Sequence, residues 1–236
     1  MTRSLEGVSH RITILGDRLS PELQAFFQQF HVSILNEELG NDRSLLRSIR
    51  LACESNSDEW VYLCEDDYVH VPHTFHFITD LILHREEYLR MRSPIRFKRG
   101  SERFLDIPLV IHPPDYPDRY LRRYRRFSLL FISRFCHWRQ ISSTTFTFLA
   151  ETKTFQRFRP LFEKSTTGAR DGYLSQELYG SHFFGKKALA LSPIPGLATH
   201  MHEDVMTPFV DWKDLVQHYL LELNQLSTTP SVPARD

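Results

Sequence analysis

Trp60-Val61-Tyr62-Leu63-Cys64-Glu65-Asp66-Asp67-Tyr68 decides how this chain is read: an apolar, ring-bearing run passes directly into three consecutive carboxylates. A run this apolar is expected at the centre of a parallel sheet, covered by helices on both faces. Three acids at its end repel one another strongly in a low-dielectric cleft. A folded chain gathers them there for a cation or a basic partner, or else leaves them as a solvated acidic turn.

Upstream, Arg11-Ile12-Thr13-Ile14-Leu15 is a β-branched strand ending at Gly16-Asp17, and Ser20-Pro21-Glu22 supplies an N-cap with proline in the first helical position. Leu23, Phe26, Phe27 and Phe30 follow at helical spacing, and Val32-Ser33-Ile34-Leu35 reads as a second strand, giving a β-α-β unit. Asn41 or Asp42 is expected to cap the next helix, whose buried stripe is Leu45, Leu46, Ile49 and Cys53. Downstream, Pro72 opens a helix burying Phe75, Ile78, Leu81 and Ile82, and Leu105 to Ile111 alternates as a strand that stops at Pro113-Pro114. The rest predicts a strand at Ser143 to Leu149, a helix near Lys153 to Glu163, a loop around Gly168 and an amphipathic helix through Trp212, Leu215, Val216, Tyr219, Leu220 and Leu223.

These elements predict one α/β domain over residues 1–226, a Rossmann-like, mixed but mainly parallel sheet flanked by helices, followed by a Pro/Thr/Ser tail at 227–236. Residues 11–111 form the expected nucleotide-binding half and 112–226 the acceptor half. Ligands of open α/β sheets sit beyond the carboxyl ends of the strands, where both Asp17 and the acidic triplet fall.

Composition narrows the possibilities. Lys plus Arg equals Asp plus Glu at 29 each, so no global field favours nucleic acid, and none is expected as a partner. Three widely spaced cysteines, Cys53, Cys64 and Cys136, suit reduced thiols in a cytoplasmic protein. Met1 to His10 is polar, and no apolar run approaches a membrane span, so neither a signal peptide nor an anchor is expected. One basic stretch stands out: Arg119–Arg139 interleaves cations with rings, suiting an anionic glycan, a lipid-linked acceptor or peripheral contact with the inner membrane face, or equally an ordinary helix with a solvated arginine face.

The acidic strand end resembles the D-x-D motif of GT-A glycosyltransferases in its E-D-D variety, similar to family 2. The order of segments supports the likeness: a first strand ending in Asp17, a helix cap near Asn41, the acidic triplet, and a late histidine in Pro195-Gly196-Leu197-Ala198-Thr199-His200. The resemblance implies a metal-dependent hexosyl- or N-acetylhexosaminyltransferase acting on a nucleotide sugar, UDP-linked by preference. Asp67 would be the direct metal ligand, with Glu65 and Asp66 addressing ribose, sugar or metal-bound water. His200 or His202 would return to the metal as a second ligand; an imidazole ligand tilts the site toward Mn²⁺ over Mg²⁺. Asp17, Asn41 and Asp42 would reach the base or ribose, unless they serve only as turn and cap residues.

Inverting transfer needs a carboxylate to take the proton of the acceptor hydroxyl, and Arg170-Asp171-Gly172-Tyr173 offers Asp171. An Asp-Gly turn explains the same residues without chemistry, and Glu177 is the competing base. Two other readings stay open, a sugar-nucleotide nucleotidyltransferase and a nucleotide- or glycan-binding relative without activity. The first is disfavoured because Gly16-Asp17-Arg18-Leu19-Ser20 is no Gly-rich phosphate loop.

Overall fold

The computed structural model describes residues 2–90, 103–121, 128–179 and 187–228. After a 3-10 turn at Thr2–Leu5, the chain runs β1 (Thr13–Asp17), α1 (Pro21–Gln28), β2 (Ser33–Glu37), α2 (Asn41–Glu54), β3 (Trp60–Leu63), β4 (Tyr68–His70), α3 (Thr74–Leu83), α4 (Arg85–Leu89) and α5 (Arg103–Asp106). It continues through β5 (Leu109–Ile111), β6 (Leu130–Ile132), β7 (His137–Ile141), β8 (Phe148–Glu151), α6 (Thr152–Arg157), α7 (Arg159–Ser165) and α8 (Asp171–Tyr179). β9 (Leu189–Ile194), β10 (Ala198–His200) and α9 (Trp212–Thr228) complete it.

The main sheet has six strands in the order β3-β8-β5-β9-β7-β6. Its strands alternate between two buried layers. Leu109, Ile111, Leu149, Leu189 and Leu191 face Phe75, Ile78 and Leu81 of α3, whereas Val110, Phe148, Ala150 and Ala190 face Ile49 of α2, Phe155 of α6, Phe162 of α7 and Leu174 of α8. Side chains on a strand point to opposite faces in turn, so burial of both sets makes a single domain of helix, sheet and helix layers. Phe148, Phe155 and Phe162 lock the second layer, with ring centroids 5.0 to 5.9 Å apart.

The sheet is mixed but not mainly parallel. Within it only β5 and β9 run parallel; β3–β8, β5–β8, β7–β9 and β6–β7 are antiparallel, and the parallel β1–β2 pair forms a separate two-stranded sheet. The acidic strand β3 is likewise terminal in the six-stranded sheet rather than central. Unbroken apolarity records burial on two faces, which antiparallel strands share when helices cover both; it carries no information on direction.

Several boundaries also differ from expectation. Ser20 caps α1 as predicted, accepting from the Leu23 N–H at 3.3 Å, but no residue of α1 is buried, so its Phe stripe is only half covered. The N-cap of α2 is neither Asn41 nor Asp42 but Gly40, at φ +70°. The strand expected at Ser143 to Leu149 begins only at Phe148, and the one expected from Leu105 begins at Leu109 because α5 takes up Leu105. Among the described residues the Arg119–Arg139 stretch holds β6 and the start of β7, and residues 122–127 lie outside the described chain. α9 extends to Thr228, into the expected tail, and residues 229–236 lie outside the described chain. Among the described residues no helix is long and apolar enough to cross a membrane, and the three cysteines are free.

Candidate functional site

The acidic triplet falls between β3 and β4, and β4 is built to bring a distant segment to it. β10 pairs antiparallel with β4, placing His200 opposite Tyr68, and the Met201 N–H donates to the Asp67 carbonyl at 2.8 Å. The outcome is a direct contact between His200 Nε2 and Asp67 Oδ2 at 2.6 Å. The two ends of the motif expected from sequence therefore meet in space.

Glu65 is held differently. Its backbone N–H donates to Thr147 Oγ1 at 3.1 Å, and the same hydroxyl donates to Glu65 Oε2 at 3.1 Å. Burial pushes the Glu65 carboxyl above the usual range; the Thr147 hydrogen bond opposes this, the negative charges of Asp67 and Asp171 add to it, and His200 opposes it. Asp171, the first residue of α8, is thus close enough for its charge to be felt at Glu65, while its own Oδ1 accepts from the Gly172 N–H at 2.7 Å. Asp66 is exposed beside them.

A chain of hydroxyls backs this group. The Tyr68 hydroxyl bonds to those of Tyr116 and Thr145, the latter at 3.0 Å, and the Tyr68 ring lies edge-on to His200 with centroids 5.2 Å apart. Sequence reasoning missed Thr145, Thr147 and Tyr116. The Ser/Thr-rich run 142–147 and Tyr116 carry no motif, and their part in the site comes from tertiary contacts with Glu65 and Tyr68.

The other expected residues have partners of their own. Both oxygens of Asp17 accept backbone hydrogen bonds, from Leu39 at 2.9 Å and Gly40 at 3.0 Å, so this carboxylate shapes the entry to α2. Asp42 Oδ2 accepts from the Gly168 N–H at 2.8 Å and ties α2 to the turn before α8, while Asn41 begins α2. Glu177, exposed on α8, pairs with Lys187 at 3.2 Å. His202 is exposed, with Asp204 3.9 Å away and its ring stacked 6.1 Å from that of His200.

Asp67 and His200 fit a divalent ion held jointly with a ligand. Two donor atoms each about 2.1 Å from one octahedral cation stand about 3 Å apart, so a slight separation of the pair suffices. Among the described residues no group of three or more His, Cys, Asp or Glu side chains is arranged to hold a metal; an ion held by this pair would have to take its other ligands from a substrate or water.

No protein-family model matches the chain, and comparisons with curated proteins and with solved structures find no match.

Proposed function

We propose that this protein is a Mn²⁺-dependent glycosyltransferase that moves a hexosyl or N-acetylhexosaminyl group from a UDP-sugar to a hydroxyl acceptor with inversion. The observation that carries the reading is the Asp67–His200 contact, made by segments far apart in sequence and aligned by the β4–β10 pairing. Two surface residues brought together only for an exposed ion pair would contribute little to stability, whereas a carboxylate and an imidazole at a strand end supply two donors for a cation.

Asp67 and His200 would hold the ion, which when bound offsets the charge of the diphosphate leaving group. Thr147 orients Glu65, which would contact the donor, and exposed Asp66 would be available to the same ligand. Asp171, at the start of α8 and within electrostatic range of Glu65, would take the acceptor's proton as the hydroxyl oxygen bonds to the anomeric carbon. The carbon–oxygen bond to the diphosphate breaks in that step, and UDP departs with the electron pair.

Calorimetric titration of UDP with and without Mn²⁺ tests the reading. Affinity that depends on Mn²⁺ supports it; equal affinity with and without the ion, or none in either case, overturns it.

A further inference from the structure

β6 ends the main sheet, and one of its faces is bare. Among the described residues it pairs only with β7. Phe131 packs on the α3 side of the sheet with Trp138 and with Leu89 of α4. Side chains alternate along a strand, so Leu130 and Ile132 point the other way, where they are 59% and 68% exposed. The helices that cover Val110, Ala150 and Ala190 on that side leave β6 open. Two large aliphatic side chains thus stand together in water at the edge of the sheet.

The open edge is continued at both ends. Leu130 stands opposite Arg139, whose guanidinium lies 4.3 Å from the centroid of the exposed Tyr120 ring, and Ile132 stands opposite exposed His137. At the other end, the turn from β6 to β7 presents exposed Arg134 and Phe135, the guanidinium 5.4 Å from the ring centroid. That turn is firmly held. The Ser133 N–H and hydroxyl both donate to the Cys136 carbonyl, at 3.1 and 3.0 Å, the Trp138 indole N–H donates to Ser133 Oγ at 3.0 Å, and Phe135 stacks on Phe77 with centroids 4.8 Å apart.

Charge indicates what meets this edge. From Arg119 to Arg139 the chain carries seven arginines and neither aspartate nor glutamate. Arg119 and Arg139 lie beside buried Asp115, while Arg134 and the four arginines at 122–126 remain. Exposed Asp118 borders the stretch, and Glu86 and Glu87 belong to α4, which packs through Leu89 on the Phe131 side of the sheet. The balance around Leu130 and Ile132 is therefore positive. Cations beside exposed aliphatic chains suit a bilayer with anionic headgroups. A second copy set edge to edge on β6 would bring two arginine-rich stretches together, and nucleic acid offers Leu130 and Ile132 no acyl chains to enter.

We infer that Leu130, Ile132, Arg134 and Phe135 form a docking edge for an anionic lipid bilayer. The apolar side chains enter the boundary between headgroups and acyl chains, and the arginine meets the headgroup charge. β6 lies five strand positions from β3, roughly 24 Å across the sheet, so docking leaves the acidic strand end free.

The test is flotation of the full chain with vesicles of phosphatidylcholine, alone or with about 30% phosphatidylserine. Binding to the anionic vesicles should be at least about ten-fold tighter and should weaken several-fold between about 0.1 and 0.5 M salt. The double variant Leu130→Ser, Ile132→Ser changes only exposed side chains; it should keep the urea midpoint and lower vesicle affinity at least about ten-fold. Arg134→Gln, an arm independent of the strand, should lower affinity for the anionic vesicles several-fold. No binding to either vesicle, equal binding to both, or unchanged affinity in either variant overturns the inference. So does a dimer, seen by light scattering without lipid, that the double variant dissolves. Since the assay contains neither UDP nor Mn²⁺, its failure is distinct from failure of the donor-site reading.

Discussion

His112 lies wholly inside the protein after β5, with neither ring nitrogen hydrogen-bonded, and burial together with nearby Arg119 holds its pKa well below the usual value. Well above its ordinary pKa of about 6.5 this residue is unprotonated in both the folded and the unfolded form, and it costs nothing in titration. Below that, the unfolded chain binds a proton that the native state refuses, so stability falls as pH falls, by up to about 1.4 kcal/mol per pH unit. His70, pushed down to about 3 by burial, acts in the same direction. Glu65 and Asp115, both raised mainly by burial, act oppositely: acid neutralises them in the folded state first. His112→Leu should therefore lose less stability than the wild type between about pH 6.5 and 5 in urea unfolding, while His70 preserves part of the slope; identical slopes would contradict this. Asp171 offers the catalytic counterpart. Asp171→Asn should lower turnover by roughly 100-fold with UDP affinity within a few-fold, whereas Glu177→Gln, whose residue pairs with Lys187, should leave turnover near normal. The reverse ranking in steady-state kinetics would move the base to Glu177. At this scale the acids and His200 were legible because three carboxylates after an apolar run and a late histidine form a pattern along the chain; Thr147 was not, because its importance comes from a neighbour supplied by tertiary contact.

Helices with an apolar stripe were readable from sequence: α1, α2, α3 and α9 all stand near their expected places. The helix expected near Lys153 to Glu163 is instead α6 and α7, divided at Phe158. Pro160 has no N–H to give the Gln156 carbonyl, and its ring crowds the preceding turn, so one continuous helix cannot form there. Short strands were harder, since three or four residues of pairing leave little periodicity to detect. The β9–β10 connection shows how a small residue sets such an element. A Cβ on Gly196 would fall 2.2 Å from Thr207 Cγ2 and 2.9 Å from the Asp115 backbone nitrogen, so these segments close on β10 only because that atom is missing. Gly196→Ala should cost about 1–3 kcal/mol through overpacking, measured as a lower guanidinium midpoint; an unchanged midpoint would show that the turn yields freely.

Over the whole molecule, the helix-sheet-helix architecture followed from the burial pattern, while strand direction did not, because pairing partners are chosen by topology between segments far apart in sequence. The same long-range pairing is what joins the acidic strand end to the late histidine. Asp67→Asn removes a charged oxygen donor, and His200→Ala removes the imidazole nitrogen beside it, whereas exposed His202 stands off the pair. The decisive measurement is UDP affinity by calorimetry, with and without Mn²⁺, in wild type, Asp67→Asn, His200→Ala and His202→Ala. The account predicts Mn²⁺-dependent binding that is abolished in Asp67→Asn, strongly weakened in His200→Ala and little changed in His202→Ala. Mn²⁺-dependent affinity that survives intact in Asp67→Asn would contradict it.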